Sequence, residues 1–275
     1  MKNAFKFIVE PPTPRVAEAL WLFAGALLLL VALGSLMDKG GPGPVALTEL
    51  LAVLAPALLW GRARRRPVLA GLGLWPLRPV ALLGGVLLGA GWFYAMSAGL
   101  EPQIERVLPM SEWERRRLLL MLRPPSGLRP LWQDLTCFAA VPALCEEVLF
   151  RGVLLPVMLQ RLLRSVPPVA AALGALLASS LLFGAFHLSA GKLLPTAALG
   201  FGFGVAVLGF GSLWAGVGMH LCNNALVIVL VRAGHDEPPR GSWALVFAAS
   251  AVAGLGVLAW HRRRQAAGSD RGGTS

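Results

Sequence analysis

The chain has 275 residues, of which 56% are hydrophobic and only 14% are charged. Its mean hydropathy is +0.67, and this composition excludes a disordered chain and argues against an ordinary soluble domain. The formal net charge of +11 would suit the binding of nucleic acid, but the basic residues lie in the segments beside the apolar runs. A membrane surface is the better partner for such residues. We therefore expect an integral membrane protein that contacts membrane lipids and does not bind nucleic acid.

The first half of the chain contains three apolar runs, at 19–37, 44–61 and 79–100. Each is long enough to cross a hydrocarbon core about 30 Å thick. Glu49 lies near the start of the second run, and we expect no polar residue deep inside these helices. We interpret residues 1–133 as a membrane scaffold of three helices followed by an interfacial segment.

The interfacial segment contains a helix-start pattern. Ser111 is followed three residues later by Glu114, which is the spacing of a capping box. Trp113 and the leucines that follow suit a short helix lying at the membrane surface. A lid or a substrate guide is the functional alternative for this segment.

The second half of the chain, residues 134–264, supplies about five more helices. We predict them over 135–160, 165–191, the two halves of 193–231, and 242–260. The run 193–231 is too long for one span, and the sequence Gly209-Phe210-Gly211-Ser212 divides it. The residues from 265 to 275 are polar, and we expect a disordered tail.

Glycine pairs within these runs have the spacing that lets membrane helices approach closely. They are Gly85 with Gly89 and Gly200 with Gly204. We therefore predict an all-α, polytopic membrane protein with about eight transmembrane helices that enclose an intramembrane polar site.

Basic residues mark the side of the membrane on which the chain begins and ends. With eight spans, three groups of arginines fall on one side, which the positive-inside rule assigns to the cytoplasm. The groups are Arg62, Arg64, Arg65, Arg66 and Arg78; Arg161 and Arg164; and Arg262, Arg263 and Arg264. We expect both termini in the cytoplasm and the protein in a bacterial plasma membrane.

Three charged residues interrupt the predicted helix 135–160, namely Glu146, Glu147 and Arg151. Each charge at mid-depth in a bilayer costs about 2.5–3.5 kcal/mol, so packing alone does not account for them. Positions four apart share one helix face, so Glu147 and Arg151 can form an ion pair. Glu146 is then left without a partner on its own helix, as suits a general base. The alternative is a structural network in which both glutamates serve Arg151.

Two histidines and an asparagine also fall inside predicted helices. They are His187, His220 and Asn224, the last one turn beyond His220. A carboxylate and an imidazole can polarise water, and an imidazole with a carboxamide can donate hydrogen bonds to an oxyanion. Glu146, His187 and His220 are alternatively a possible zinc-ligand set, and zinc also activates water. Both chemistries predict amide hydrolysis.

These residues carry a resemblance to a known family. The patterns Glu146-Glu147-x-x-x-Arg151, Phe183-x-x-x-His187 and His220-x-x-x-Asn224 resemble the three motifs of the CPBP family of intramembrane proteases. This family is also called the Abi or CAAX-protease family and includes the type II CAAX prenyl endopeptidases. The resemblance covers residues 137–231.

The resemblance implies a role for each motif residue. Glu146 would activate water with His187 beside it, while His220 and Asn224 would stabilise the oxyanion. Glu147 and Arg151 would support the site. The family is called metalloprotease, and a metal-free glutamate mechanism has also been proposed, so zinc dependence stays open. The implied substrate is a peptide or protein at the membrane, lipidated in some relatives, and bacterial relatives act in bacteriocin self-immunity and processing.

Two other functions are open for the chain. Buried acids and histidines also form the proton relays of transporters, although the predicted absence of buried polar groups before residue 140 argues against this reading. A catalytically idle membrane scaffold or immunity protein is the other alternative.

The depth of His187 in the membrane is a further open point. His187 lies about 6 Å from the predicted end of its span, whereas Glu146 and His220 lie about 16–18 Å from the ends of theirs. Either that helix continues past Lys192, or it tilts strongly, or its boundaries differ.

Overall fold

The computed structural model describes residues 15–36, 41–63, 72–123, 129–235 and 241–271. These ranges are almost entirely helical, which confirms the all-α expectation. In chain order the helices are α1 (Val16–Leu36), α2 (Pro42–Ala63), α3 (Pro79–Val107), α4 (Glu112–Leu122), α5 (131–162), α6 (Pro168–Phe186), α7 (Ala190–Phe210), α8 (Leu213–Arg232) and α9 (Trp243–Arg271).

Seven helices of the described ranges are long and apolar enough to cross a membrane, namely α1, α2, α3, α6, α7, α8 and α9. Helix α5 is the remaining predicted span and carries the buried charges. The chain is thus a polytopic membrane protein. The break between α7 and α8 falls where it was predicted, because Gly211 adopts a left-handed conformation with φ of 61° and ends α7.

Two boundaries differ from the prediction. Helix α6 ends at Phe186, and α7 begins at Ala190 with Ser189 as its N-cap. Lys192 therefore belongs to α7, and the predicted helix 165–191 was too long at its end. Helix α9 continues to Arg271, into the segment 265–275 that was expected to be disordered. Gln265, Ala266 and Ala267 are good helix formers, which suits the first part of this extension.

Some sequence predictions lie outside the described residues. They concern Arg64, Arg65 and Arg66 of the first basic group and the last four residues of the tail, 272–275.

Prolines inside three long helices coincide with wide, π-helical turns. Those turns cover Leu50–Leu54, Ala95–Leu100, Leu135–Ala140 and Val148–Leu154, and each ends two residues before a proline. Proline lacks an amide hydrogen, and its ring clashes with the carbonyl one turn earlier. A wider turn relieves that clash while the helix continues. In α5 the last wide turn contains Arg151.

Helix α3 packs against α8 and α9. Gly85 of α3 makes the contact with α8 possible, because a Cβ atom there would lie 2.1 Å from the carbonyl oxygen of Ala215. Gly89 touches the same helix at Met219. The predicted role of this glycine pair in close helix packing is confirmed. Helix α8, which carries His220, is thereby held in a fixed place beside α3.

A buried acidic residue and its arginine partners connect the ends of three helices. Asp134, at the start of α5, is fully buried and lies 2.5 Å from Arg129 and 2.6 Å from Arg232 at the end of α8. Arg129 also donates a hydrogen bond to the carbonyl of Met121 in α4. This ion cluster fixes α5 and α8 relative to each other.

We expect Asp134→Ala to lower the free energy of unfolding by about 2 kcal/mol. The loss is smaller than the 3–5 kcal/mol for a fully buried pair because Arg129 and Arg232 remain partly exposed. Thermal unfolding in detergent measures it. The matched control is Glu105→Ala, whose partner Arg115 forms an exposed ion pair that is worth about 0.2–1 kcal/mol. Equal losses from both variants would contradict a structural role for Asp134.

Candidate active site

The three charged residues of α5 are buried in the centre of the fold. Glu146 is 6% exposed, while Glu147 and Arg151 are fully buried. Arg151 Nη1 lies 2.6 Å from Glu147 Oε1, which is the ion pair that the spacing predicted. The guanidinium also donates a hydrogen bond of 2.6 Å to the carbonyl of Gly200 in α7, and it lies 4.6 Å from the ring centre of Phe183. Arg151 is thus held by a carboxylate, a carbonyl and an aromatic face.

Two glycines make room for this ion pair. A Cβ atom at Gly200 would lie 2.8 Å from Arg151 Nη2, and one at Gly216 would lie 2.5 Å from Glu147 Oε2. The sequence suggested helix packing for Gly200. A Cβ atom at Gly200 would also be too close to Arg151 and Phe183, so glycine at this position leaves space for the charged residues of α5.

His220 of α8 lies between the two glutamates. Its Nδ1 is 3.3 Å from Glu147 Oε1, and its Nε2 is 3.9 Å from Glu146 Oε2. The ring stacks on Phe203, with centroids 4.7 Å apart, and meets the edge of Phe183. Glu147 therefore contacts both Arg151 and His220, so that it also orients the imidazole.

His187 lies in the turn that follows α6. Its Nδ1 is 3.0 Å from the carbonyl of Phe183, so Nδ1 carries the hydrogen and Nε2 is left as an acceptor. The next residue, Leu188, has a φ of 53°, which is rare for a residue other than glycine. This turn, and not a deeper helix, accounts for the position of His187 near the end of its span.

A cavity of about 240 Å³ joins the predicted site residues. His187, His220 and Asn224 line it, together with Asn223. The other lining residues are Met96, Leu100, Glu101, Met110, Leu118, Phe183, Gly191, Lys192, Pro195, Thr196, Leu199, Phe203 and Val227. Glu146 is not among the lining residues, but its Oε2 lies 3.9 Å from Nε2 of His220, which belongs to the lining. The predicted residues thus meet at one site, but Glu146 contacts His220 and not His187.

The possible zinc ligands Glu146, His187 and His220 are not grouped as a metal site in this conformation. No group of three or more His, Cys, Asp or Glu side chains in the described ranges is placed to hold a metal ion. The ring of Phe183 lies beside both imidazoles, 5.3 Å from His187 and 5.6 Å from His220 between centroids. Glu146, His187 and His220 therefore do not fit a metal in this conformation.

Two residues of the site were missed in the sequence. Glu49 of α2 is 8% exposed, its Oε2 has no hydrogen-bond partner, and α2 packs against the part of α5 that contains Glu146. The expectation that the first half contains no buried polar group was therefore wrong. The signal was present, because Glu49 is an acid inside an apolar run. Asn223 is also 8% exposed and lines the cavity, but the spacing of four from His220 indicates Asn224 and not Asn223.

Helix α4 covers one side of the cavity. Ser111 and Glu114 form the predicted capping box, and Met110 and Leu118 belong to the lining. Hydrogen bonds from Ser111 and Ser189 lower the pKa of Glu114, so this cap is ionised at neutral pH. The interfacial segment is thus attached to the turn that carries His187.

Comparison with known proteins gives one result for this part of the chain. Residues 128–226 match the family model described as "Type II CAAX prenyl endopeptidase Rce1-like". The match runs from the start of α5 into α8 and includes all the predicted site residues. No curated protein and no solved structure matches the chain significantly. The match confirms the resemblance to the CAAX-protease family, and with the seven apolar helices it makes the chain an integral membrane protein.

Proposed function

We propose, from the family match of residues 128–226, that the chain is an intramembrane endopeptidase that hydrolyses peptide bonds of membrane-anchored substrates. The observation that carries the proposal is the placement of His220 between Glu146 and Glu147 at the wall of the cavity. An imidazole beside two carboxylates at the wall of a partly open cavity suits the activation of water.

The proposed nucleophile is a water molecule between Glu146 and His220. Glu147 Oε1 lies 3.3 Å from Nδ1 of His220, so the proposal places the ring hydrogen on Nδ1 and leaves Nε2 as an acceptor. The distance of 3.9 Å from Nε2 to Glu146 Oε2 is too long for a direct hydrogen bond but lets one water donate to both atoms. The lone pairs of its oxygen are then free to attack a carbonyl carbon in the cavity.

The remaining steps use the other residues of the lining. As the water oxygen bonds to the carbonyl carbon, its proton passes to Glu146, and the carbonyl oxygen becomes an oxyanion. The carboxamide of Asn224 donates a hydrogen bond to that oxyanion. When the C–N bond breaks, the proton on Glu146 passes to the leaving amine, which regenerates the carboxylate. Nε2 of His187 accepts a hydrogen bond from a peptide N–H and so positions the substrate.

This assignment differs from the roles that the family resemblance implied. The resemblance implied that His187 lies beside Glu146 and that His220 and Asn224 together stabilise the oxyanion. The contact between His220 and Glu146 favours His220 as the partner of Glu146 on the water. The steps are written with the chain's own side chains, because Glu146, His187 and His220 are not grouped as metal ligands here.

The orientation of the chain in the membrane and the class of its substrate are also proposals. The basic residues at the ends of the spans support cytoplasmic termini in a bacterial plasma membrane. The apolar lining supports a substrate that reaches the cavity from the membrane as a peptide, with or without a lipid. Its lining methionines and leucines would contact apolar side chains beside the scissile bond.

The proposal is tested with the purified chain in proteoliposomes. A library of membrane-anchored peptides is added, products are identified by mass spectrometry, and a pH-sensitive dye inside the vesicles reports proton flux. We expect cleavage at defined bonds without flux. The control is the triple variant Glu146→Gln/His187→Ala/His220→Ala, which reveals any contaminating protease. Flux without cleavage would overturn the proposal and favour the proton-coupled transporter. A lack of both, with a bound partner retained by the triple variant, would favour the idle scaffold.

A further inference from the structure

Asn223 is a buried polar residue of the cavity that the proposed reaction does not use. It lies in α8, one residue before Asn224 and three after His220, and it is 8% exposed. Its side chain lines the same cavity as His187, His220 and Asn224. A carboxamide buried in this place needs hydrogen-bond partners, since burying one without them is costly.

The partner of Asn223 is its neighbour. Asn223 Nδ2 donates a hydrogen bond to Asn224 Oδ1 over 3.2 Å. Adjacent positions on a helix diverge by about 100°, so the two side chains turn toward each other to make this contact. The hydrogen bond occupies the carbonyl end of the Asn224 carboxamide. The NH₂ end of Asn224 is then the group that remains for a ligand in the cavity.

Orientation matters for Asn224 because its two ends have opposite hydrogen-bonding character. The NH₂ group donates to an oxyanion, whereas the carbonyl oxygen would repel it. A carboxamide without a fixed partner can rotate by half a turn and present the wrong end. Asn223 makes one of these orientations more stable than the other.

We infer that Asn223 is a positioning residue, which fixes the Asn224 carboxamide so that its NH₂ group points at the oxyanion formed from the substrate carbonyl. This inference rests on the proposed function, in which Asn224 is the oxyanion donor. Asn223 acts through Asn224 and does not itself touch the reacting atoms.

The experiment compares three substitutions at Asn223 in the proteoliposome assay, with the best-cleaved library peptide as substrate. Asn223→Asp keeps the size but replaces the donor by an acceptor, so the Asn224 carboxamide turns its NH₂ group toward Asp. We expect kcat to fall about 10²–10³-fold, as for the loss of an oxyanion donor, with KM nearly unchanged. Asn223→Leu removes the donor without adding an acceptor, and a smaller fall in kcat is expected. Asn223→Gln keeps a donor and should restore most of the rate.

A double-mutant cycle with Asn224→Ala distinguishes positioning from a structural role. If Asn223 acts through Asn224, then Asn223→Asp in the Asn224→Ala background causes no further loss of kcat. Additive losses, an unchanged kcat in Asn223→Asp, or a rise in KM that accounts for the whole effect would each overturn the inference. Unfolding temperatures of all variants are measured in parallel, and Asn223→Leu provides the uncharged comparison if the buried aspartate weakens folding. An inactive wild-type chain would instead contradict the proposed function itself.

Discussion

Replacing Glu146 by glutamine is expected to lower kcat about 10²–10⁴-fold, the usual contribution of a general base. The carboxamide has nearly the same shape as the carboxylate but accepts no proton at neutral pH. Water between this side chain and His220 would then be held without being activated. Because the substrate does not depend on that proton transfer for binding, KM should change little. The cleavage assay in proteoliposomes measures both constants.

The same substitution should leave the fold intact. Glu146 is 6% exposed, and its Oε2 has no hydrogen-bond partner, so glutamine removes a buried charge that has no direct partner. We expect an unfolding temperature equal to or above that of the wild type. Glu112→Gln is the matched control, since this glutamate is exposed on α4 and lies outside the cavity lining. Peptide hydrolysis retained at the wild-type rate by Glu146→Gln would remove Glu146 from the reaction.

Replacing Arg151 by leucine is expected to cost about 3–5 kcal/mol of unfolding free energy. The substitution leaves the fully buried carboxylate of Glu147 without its cation. It also leaves the carbonyl of Gly200 without its donor. A loss of this size is comparable to much of the stability of a typical domain. Thermal or denaturant unfolding in detergent measures it.

A double variant separates stability from activity at this ion pair. Replacing both members of a buried pair by apolar residues is often nearly neutral. Glu147→Leu/Arg151→Leu should therefore recover most of the stability that Arg151→Leu loses. It should remain inactive, because His220 Nδ1 loses the carboxylate at 3.3 Å that orients it. If the double variant were as unstable as the single one, the uncompensated charge would not be the cause.

The features that could be predicted from the sequence are those that depend on neighbours along one helix. The ion pair of Glu147 and Arg151 follows from their spacing of four, and the capping box of Ser111 and Glu114 from its spacing of three. The break at Gly211 follows from the length of the run around it. Each of these features depends on residues within a few turns of one helix. Periodicity and length along the sequence are therefore enough to predict it.

The features that were missed depend on how separate helices pack. Spacing placed Glu146 on a face of α5 without showing that His220, and not His187, would meet it. Glu49 comes from a helix almost a hundred positions earlier, and only the packing of α2 against α5 brings it near Glu146. The end of α6 was misjudged because no charged residue marks the turn at His187 and Leu188.

The size of the cavity restricts the shape in which a substrate can reach the motif residues. A cavity of about 240 Å³ is small beside a transmembrane helix of about 20 residues, which is about 30 Å long and 10–12 Å wide. Only a short segment of such a helix fits the cavity, and its scissile carbonyl would have to leave the backbone hydrogen bonds of the helix to accept one from Asn224. Proteolysis would then favour substrates whose helices unwind readily, for instance at glycine or proline, and local helix stability would govern the choice of bond along with side-chain identity.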